Sequence, residues 1–249
     1  DADMTERETA WARLRAAGDA ARGRSLLGLF DAEPQRVADF TIAAAGLTID
    51  LSKQPWSKGD LALALALARA CGLDAARARL FAGDAVNASE NRPALHMALR
   101  APKGADFRAA GIPVSGEVEA SRAAMAAFAG QVRDGTRKGC TGAAFEAIVH
   151  IGIGGSDLGP RLVWEALRPL TPRIELRFVA NVDPSELALA LAGLDPARTL
   201  VVVVSKTFTT LETLANAEGA RAWLRDALGS AGDSHLVAVS AAPDVARGF

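Results

Sequence analysis

The segment Thr199–Thr210, TLVVVVSKTFTT, decides the fold, because a nearly pure valine run ends in a cluster of hydroxyls. Three other apolar runs share this part of the chain, at 147–151, 175–179 and 235–239. Continuously apolar strands separated by helices are typical of parallel sheets that are covered on both faces. The sequence therefore predicts an α/β fold, a doubly wound parallel sheet flanked by helices. In such folds ligands bind at the carboxyl ends of the strands.

Helix signals lie between the predicted strands. A first helix is predicted from Pro160 to about Leu167, and a third from the end of the valine run to about Leu224. Capping residues mark the starts of the later two helices: Asp183, Pro184 and Glu186 before the second, and Thr209 with Glu212 before the third. The pattern of each group predicts a capping box.

The first part of the chain, from Thr5 to about Arg100, is rich in alanine, leucine and arginine and is predicted to be helical. Its apolar run Leu61–Leu73 is shorter than the roughly twenty residues that span a bilayer, so a buried helix is predicted there. Pro93 is predicted to occupy the first position of another helix. A connector at 101–116 contains glycine and proline, and a helix is predicted over 117–133.

These patterns predict two parts, an N-terminal helical segment at 1–115 and an α/β domain at 116–249. A doubly wound sheet that stops just after a strand, without a closing helix of useful length, leads us to expect further sequence after Phe249. The second domain is therefore expected to be truncated at its C-terminal end.

Composition argues against several classes of function. Half of the 249 residues are hydrophobic and the formal net charge is -1, which gives no electrostatic reason to expect nucleic acid or a membrane as partner. No secretory signal is visible at the start, and we expect a cytoplasmic protein. The distant cysteines Cys71 and Cys140 are predicted to be reduced thiols. None of the three histidines is close to another in sequence, so no metal site is expected.

The first candidate ligand loop is 152–160, GIGGSDLGP. Its glycines allow close approach of the backbone to a ligand, and the following helix offers its amino end to an anion. The dinucleotide fingerprint fails because Asp157 replaces its last glycine, and no Gly-Lys-Ser/Thr closes a Walker loop. The pattern alone fits both a structural turn and a ligand loop. Nearby, His150 is predicted to be a core histidine, and Asp157 to cap the following helix.

The second candidate loop is Ser205–Thr210, which contains four hydroxyls and the ammonium of Lys206. Hydroxyls, backbone amides and a cation are the groups that bind a phosphate monoester. A helix cap uses only one or two hydroxyls. The loop is therefore predicted to bind phosphate.

Together these residues resemble the N-terminal half of the glucose-6-phosphate isomerase family. Four motifs carry the resemblance: 151–160 (IGIGGSDLGP) for its glycine loop, 204–213 (VSKTFTTLET) for its phosphate loop, 95–100 (LHMALR) after Glu90 and Arg92 for its N-terminal helical motif, and 181–183 (NVD) for the segment between the loops. The resemblance extends from about Phe40 to Phe249, with the motifs in the family's order.

The resemblance implies an aldose–ketose isomerase with two sugar-isomerase (SIS) domains. Such an enzyme interconverts glucose 6-phosphate and fructose 6-phosphate through a cis-enediol, in glycolysis and gluconeogenesis, as a homodimer without metal or organic cofactor. The residues implied to contact substrate are Gly155 and Ser156 for the sugar, and Ser205, Lys206, Thr207 and Thr210 for the phosphate. Phe208 and Thr209 of the same loop are also expected to bind substrate. The family's base, its ring-opening residues and its enediol-stabilising arginine have no matching positions here. No catalytic residue is therefore expected in this chain.

Two other interpretations remain at this point. One is a stand-alone SIS domain that senses a sugar phosphate without turnover, and the other is an isomerase fused to a second activity. The helical motif around His96 favours the isomerase over the sensor, because simple SIS sensors lack that segment.

Overall fold

The computed structural model describes residues 5–170 and 174–249. The chain forms two compact units, Asp1–Glu119 and Ala120–Phe249. Within the described residues, no helix combines the length and the apolar character needed to cross a bilayer. The domain boundary drawn from the sequence, between residues 115 and 116, stays a prediction, because compactness alone does not define a domain.

The first unit is mainly helical, with two short hairpins. Its elements are α1 (Glu6–Ala20), α2 (Leu26–Ala32), α3 (Arg36–Asp39), β1 (Thr41–Ala44), β2 (Leu47–Asp50), α4 (Lys58–Ala70), α5 (Leu73–Ala82), α6 (His96–Arg100), β3 (Arg108–Ala109), β4 (Ile112–Pro113) and the start of α7 (Ser115–Asp134). The helix predicted over 117–133 corresponds to α7.

The expectation of an entirely helical N-terminal part was wrong at the hairpin of β1 and β2. These strands pair antiparallel around Ala45 and Gly46, whose φ angles of 52° and 77° are both positive. Such a two-residue turn matches the right-handed twist of paired strands. The strands were missed because each is only four residues long and mostly exposed, so the alternation of Leu47 and Ile49 with Thr48 and Asp50 is too short to stand out within the helical pattern.

Two other expectations about this unit were wrong. The helix predicted at 61–73 exists as α4, but none of its residues is buried. The helix start predicted at Pro93 is absent, because Asn87 and Arg92 form an antiparallel bridge around a turn. The Asn87 side chain accepts a hydrogen bond from the Ser89 hydroxyl (2.8 Å) and holds the turn. The helix α6 therefore begins later, at His96.

The second unit contains the predicted alternation of strands and helices. After α7 its elements are β5 (Ala147–Ile151), α8 (Gly155–Leu167), β6 (Glu175–Val179), α9 (Pro184–Leu191), β7 (Thr199–Val204), α10 (Leu211–Leu228), β8 (Leu236–Val239) and α11 (Pro243–Arg247). All four predicted strands are confirmed. Only β8 differs in its bounds, because His235 ends a 3-10 helix.

The four strands form one parallel sheet in the order β6-β5-β7-β8. The chain passes from β5 to β6 at the edge, then crosses β5 to reach β7 and continues to β8. The connection from β5 to β6 runs in one direction across the sheet, and those from β6 to β7 and from β7 to β8 run in the other. Since such crossovers are right-handed, α8 lies on one face of the sheet and α9 and α10 lie on the other. The prediction of a doubly wound parallel sheet flanked by helices is confirmed.

Alternate strand residues build separate cores on the two faces. The face of α9 and α10 buries Val149, Ile151, Val179, Val201 and Val203 against Ala190, Ala217, Ala220 and Leu224. On the other face, Leu200 packs against Val132 of α7 and against Phe145. An apolar cavity of about 550 Å³ lies on this second face, lined by side chains that include Phe128, Trp164 and Val202. None of the residues lining it belongs to the loops that follow β5 and β7.

The predicted caps of α9 and α10 were partly wrong. Asp183 caps α9 as expected, accepting from the Ser185 N–H (2.9 Å). Glu186 accepts instead from the backbone N–H groups of Ala180 and Asn181, so it holds the loop before the helix rather than completing a capping box. At α10 the N-cap residue is Thr210, whose side chain does not cap the helix.

An ion-pair cluster joins α10 to the segment before β8. Arg225 and Arg221 each make two hydrogen bonds to the Asp233 carboxylate, at 2.6–2.7 Å and 3.3 Å respectively. The hydrogen bonds from Arg225, and then those from Arg221, hold the pKa of Asp233 far below its ordinary value. Arg221 also lies over the Phe249 ring, 5.1 Å from its centroid.

We expect Asp233→Asn to lower the melting temperature at pH 7 by about 2–4 °C, because a partly exposed ion-pair network contributes about 1 kcal/mol. Since the folded state has the lower pKa, this contribution is present above the unfolded-state pKa of about 3.9 and is lost as pH falls through the folded pKa. Thermal unfolding of both proteins at several pH values should therefore show a difference that narrows below about pH 4. Asp226→Asn removes the same charge from an exposed position of α10 and is the control. A difference that stays constant on acidification contradicts the prediction.

Candidate functional site

The two loops singled out in the sequence leave neighbouring strands. The strands β5 and β7 pair directly, with Ile151 opposite Val203, and neighbouring strands lie about 4.8 Å apart. Both loops therefore start at the same edge of the sheet. Each leads directly into a helix, α8 after the first and α10 after the second. Both helices therefore begin at this edge. The first backbone N–H groups of a helix lack partners within it, so these groups are available there.

The glycine loop makes a tight turn into α8. Gly154 is the N-cap residue, with a positive φ of 59°. Gly155 is the first residue of the helix and is exposed, and Ser156 is half-buried. A Cβ on Gly152 would lie 2.9 Å from the Ser156 carbonyl oxygen, closer than real side chains come. The glycine at position 152 is therefore required by the close approach of the first helical turn.

The helix α8 begins at Gly155, five residues before the start predicted at Pro160. Pro160 lies inside the helix as its sixth residue, where its missing N–H leaves the Ser156 carbonyl without the usual helical donor. His150 supplies a donor instead, with its Nε2 2.8 Å from the Ser156 carbonyl oxygen. The prediction that His150 is a core histidine with a satisfied ring is confirmed.

The prediction that Asp157 caps the helix was wrong. Asp157 is the third residue of α8, is 4% exposed, and accepts three hydrogen bonds of 2.9–3.1 Å from Arg161 one turn later. The Arg161 guanidinium in turn lies over the Phe178 ring of β6, 4.7 Å from its centroid. The carboxylate therefore binds the arginine of its own helix that contacts the neighbouring strand.

The hydroxyls of the second loop bind one another rather than the helix. The Ser205 hydroxyl is buried, accepts from the Phe208 N–H (3.1 Å), and lies 3.4 Å from the Thr210 hydroxyl. Thr207 and Thr209 are exposed, with their hydroxyls 2.7 Å apart. This pairing engages Thr209, so the capping box that we predicted from Thr209 and Glu212 is not formed. The hydroxyls of Thr207 and Thr209 are accessible to a ligand.

Phe208 gives the loop its shape. It has a φ of 56°, which is uncommon for a bulky residue, and such backbone conformations concentrate at ligand sites. Its side chain is 3% exposed and meets the Phe249 ring edge-on, with centroids 5.6 Å apart. The ring therefore anchors the loop in the core between two exposed threonines. The predicted substrate contact of Phe208 stays a prediction, and its burial restricts that contact to the backbone.

The exposed residue Lys206 is held through its backbone. Its carbonyl oxygen accepts from the Ala241 N–H (3.0 Å) and from the Ser240 hydroxyl (3.1 Å), both in the segment after β8. The Ser205 N–H donates to the Val239 carbonyl at 3.1 Å, which continues the pairing of β7 with β8. Three strands therefore support the two candidate loops.

Few other side chains near the loops could take part in catalysis or bind a metal. Glu212 is an exposed residue in the first turn of α10. In the described part of the chain, no three histidine, cysteine, aspartate or glutamate side chains are grouped so that they would hold a metal ion. Both cysteines are free thiols. The arrangement thus offers hydroxyls, backbone amides and a cation, which is a set of groups suited to holding an anion.

Comparison with protein families decides the family. The family model of phosphoglucose isomerase matches residues 50–249. The chain belongs to the phosphoglucose isomerase family. Within that family, it is 58% identical over 247 residues to the glucose-6-phosphate isomerase of Caulobacter sp. (strain K31), covering 99% of this chain and 46% of the relative. It is also 46% identical over 234 residues to glucose-6-phosphate isomerase 4 of Rhodococcus jostii (strain RHA1), covering 93% and 42%.

A solved structure of the family shares the fold. The crystal structure of a glucose-6-phosphate isomerase from Chlamydia trachomatis superposes with a TM-score of 0.68 at 28% identity, covering 83% of this chain and 39% of that one. The chain thus spans about half the length of the family members that it matches. The resemblance noted in the sequence, to the N-terminal half of this family, is confirmed.

Sequence reasoning missed three residues that shape the loops. His150 was assigned to the core without its contact to the glycine loop, and Asn216 was not considered. The side chain of Asn216, buried in α10, donates to the Asn181 carbonyl (2.7 Å) and fixes the loop after β6. Phe208 was counted as a substrate contact, whereas its side chain packs in the core. No local sequence pattern indicates these roles, because each depends on contacts between separate elements of the fold.

Proposed function

We propose that this chain is the substrate-binding half of a glucose-6-phosphate isomerase, which interconverts glucose 6-phosphate and fructose 6-phosphate through a cis-enediol. The observation that carries the proposal is the emergence of the glycine loop and the hydroxyl-rich loop from the neighbouring strands β5 and β7. One sugar phosphate contacts both loops in this arrangement, its phosphate on the second and its sugar on the first. The names of the family relatives support the isomerase over the sensor interpretation.

The phosphate is assigned to the loop Ser205–Thr210, at the amino end of α10. Lys206 supplies a charge-assisted hydrogen bond, and Thr207, Thr209 and Thr210 supply hydroxyl donors. Ser205 is assigned to the phosphate as well, because its hydroxyl accepts from the Phe208 N–H and still has its own O–H to donate. The first N–H groups of α10 and the positive end of its dipole add to the attraction of the anion.

The sugar is assigned to the first turn of α8. Gly155 is exposed there, without a Cβ that would keep a ligand from the backbone, and Ser156 offers a hydroxyl beside it. Held at both ends, the substrate presents C1 and C2 in a fixed orientation, which is the contribution that positioning makes to catalysis. We assign no catalytic residue to this chain and no metal or organic cofactor to the reaction.

The wider setting follows from the family. We propose a homodimeric protein of the cytoplasm that acts in glycolysis and gluconeogenesis, with residues 116–249 as its first SIS domain and 1–115 as an N-terminal helical segment. Glucose 6-phosphate and fructose 6-phosphate are its partners, and neither nucleic acid nor a membrane is among them.

A crystal structure with bound fructose 6-phosphate tests the placement of the ligand. We expect its phosphate within hydrogen-bonding distance of Lys206 and the hydroxyls of Thr207 and Thr209, and its sugar beside Gly155. The reason is that this edge of the sheet joins two helix amino ends with the cation and hydroxyls of one loop. Fructose without phosphate, soaked at the same concentration, is the control and should leave the second loop empty. A phosphate bound anywhere else contradicts the assignment.

A further inference from the structure

The carbonyl group of Ser156 lies at the centre of the glycine loop and lacks its ordinary helical partner. In a regular helix it would accept from the N–H of residue 160, which is proline here. The Gly152 backbone packs so closely beneath it that a Cβ there would lie 2.9 Å from this oxygen. A partly buried carbonyl without a donor destabilises the turn, so the first turn of α8 depends on a donor from elsewhere.

His150 is that donor. It belongs to β5, is 8% exposed, and its Nε2 lies 2.8 Å from the Ser156 carbonyl oxygen. Because a carbonyl oxygen only accepts, the bond requires the proton on Nε2. The imidazole ring is held in place by Phe178 of β6, with ring centroids 5.2 Å apart. The bond therefore joins the middle of the sheet to the turn that begins α8.

We propose that His150 is a positioning residue for the sugar-binding turn, replacing the hydrogen bond that Pro160 removes and thereby fixing Gly155 and Ser156 toward the substrate. The inference rests on the function proposed above. His150 does not touch the substrate, because its Nε2 is committed to the Ser156 carbonyl. Its effect is confined to the glycine loop, since the phosphate loop follows β7 and is held by Phe208 and the segment after β8.

The full-length enzyme tests this with two replacements of one side chain. His150→Phe keeps a ring of similar size but has no donor, whereas His150→Gln places an amide N–H near the position of Nε2. Loss of one hydrogen bond to this partly buried carbonyl corresponds to about a fivefold change in an equilibrium constant. We expect His150→Phe to raise the KM for fructose 6-phosphate about fivefold, and His150→Gln to restore most of it. The inhibition constant of inorganic phosphate, which needs only the second loop, should stay unchanged.

Replacing the proline provides the second arm. Pro160→Ala returns an N–H to the helix, which then serves the Ser156 carbonyl and makes the histidine redundant. In that background, we expect His150→Phe to change the KM by less than about twofold, because the two donors substitute for each other. An equal effect of His150→Phe with and without Pro160→Ala overturns the inference.

A second buried histidine gives a matched control. His235 is fully buried, and its ring joins the Cys140 N–H and the Thr199 carbonyl, each at 2.9 Å. His235→Phe should lower the melting temperature without raising the KM relative to the phosphate inhibition constant. If His150→Phe raises both constants together, as a general loss of folding would, the positioning role is wrong.

The outcomes also separate this inference from the proposed function. A wild-type enzyme that does not isomerise glucose 6-phosphate overturns both. A wild-type enzyme that isomerises it, with an unaltered KM in His150→Phe, overturns the positioning role alone.

Discussion

Lys206→Ala is expected to weaken the binding of fructose 6-phosphate by about 10- to 100-fold, because a hydrogen bond to a charged group contributes about 1.5–3 kcal/mol. The expectation rests on the exposed position of the lysine in a loop whose backbone is fixed. Its carbonyl oxygen is bound by Ser240 and Ala241, so the backbone stays in place when the side chain is shortened. Calorimetric titration of the purified chain measures the two affinities.

Two controls make the comparison specific. Thr207→Ala removes a neutral donor and should cost about fivefold, partly offset by the Thr209 hydroxyl 2.7 Å away. Lys138→Ala removes the same charge from an exposed position before β5 and should leave the affinity unchanged. Equal affinities of wild type and Lys206→Ala would show that the lysine serves another purpose.

The strands could be predicted from the sequence because their environment is uniform. Central parallel strands are buried on both faces, so every position favours a β-branched or other apolar residue, as in the run Thr199–Val204. The helices between them followed from the same pattern, and the edge that carries the ligand loops followed from the topology. These inferences depend on the burial of a whole strand or helix. Such burial is visible in a single sequence, because it sets the residue type at many positions at once.

What the sequence did not predict depends on single contacts. Pro160 was taken as a helix start, which is the common use of proline, but here the histidine of a neighbouring strand compensates for a proline inside the helix. The positive φ of Phe208 could not be predicted either, because the residue type does not indicate it and the packing of the ring in the core depends on distant elements. The hairpin of β1 and β2 was missed because its exposed strands are only four residues long, which is too short for their pattern to stand out.

The candidate site shows the same division. The types of group at the site could be predicted, because hydroxyls, glycines and a lysine stand next to one another in the chain. Their division of roles could not. The pairing of Thr207 with Thr209, and the burial of the Ser205 hydroxyl beneath the loop, depend on how the loop turns between β7 and α10.

The isomerisation requires a catalytic base, and we assign none to these two loops. Proton transfer between C1 and C2 needs a base within hydrogen-bonding reach of the carbon acid. Asp157 adjoins the glycine loop, but its two carboxylate oxygens accept three hydrogen bonds from Arg161. Glu212 adjoins the second loop at the exposed start of α10, and Lys206 is assigned to the phosphate. Asp157 is therefore engaged by Arg161, and we assign the base to neither carboxylate.

We accordingly expect the chain of 249 residues to bind fructose 6-phosphate and yet to show no detectable isomerisation, whereas the full-length protein is active. Loss of general-base catalysis alone costs about 10² to 10⁴ in rate, and loss of the charge that stabilises the enediol adds a comparable factor. A coupled assay that follows fructose 6-phosphate formation from glucose 6-phosphate measures both proteins. Calorimetric binding by the same preparation of the chain is the control, because retained affinity shows that inactivity does not arise from unfolding. Turnover by the chain at a rate near that of the full-length protein would mean that a base lies within these residues, and Asp157 and Glu212 would then be the first carboxylates to replace.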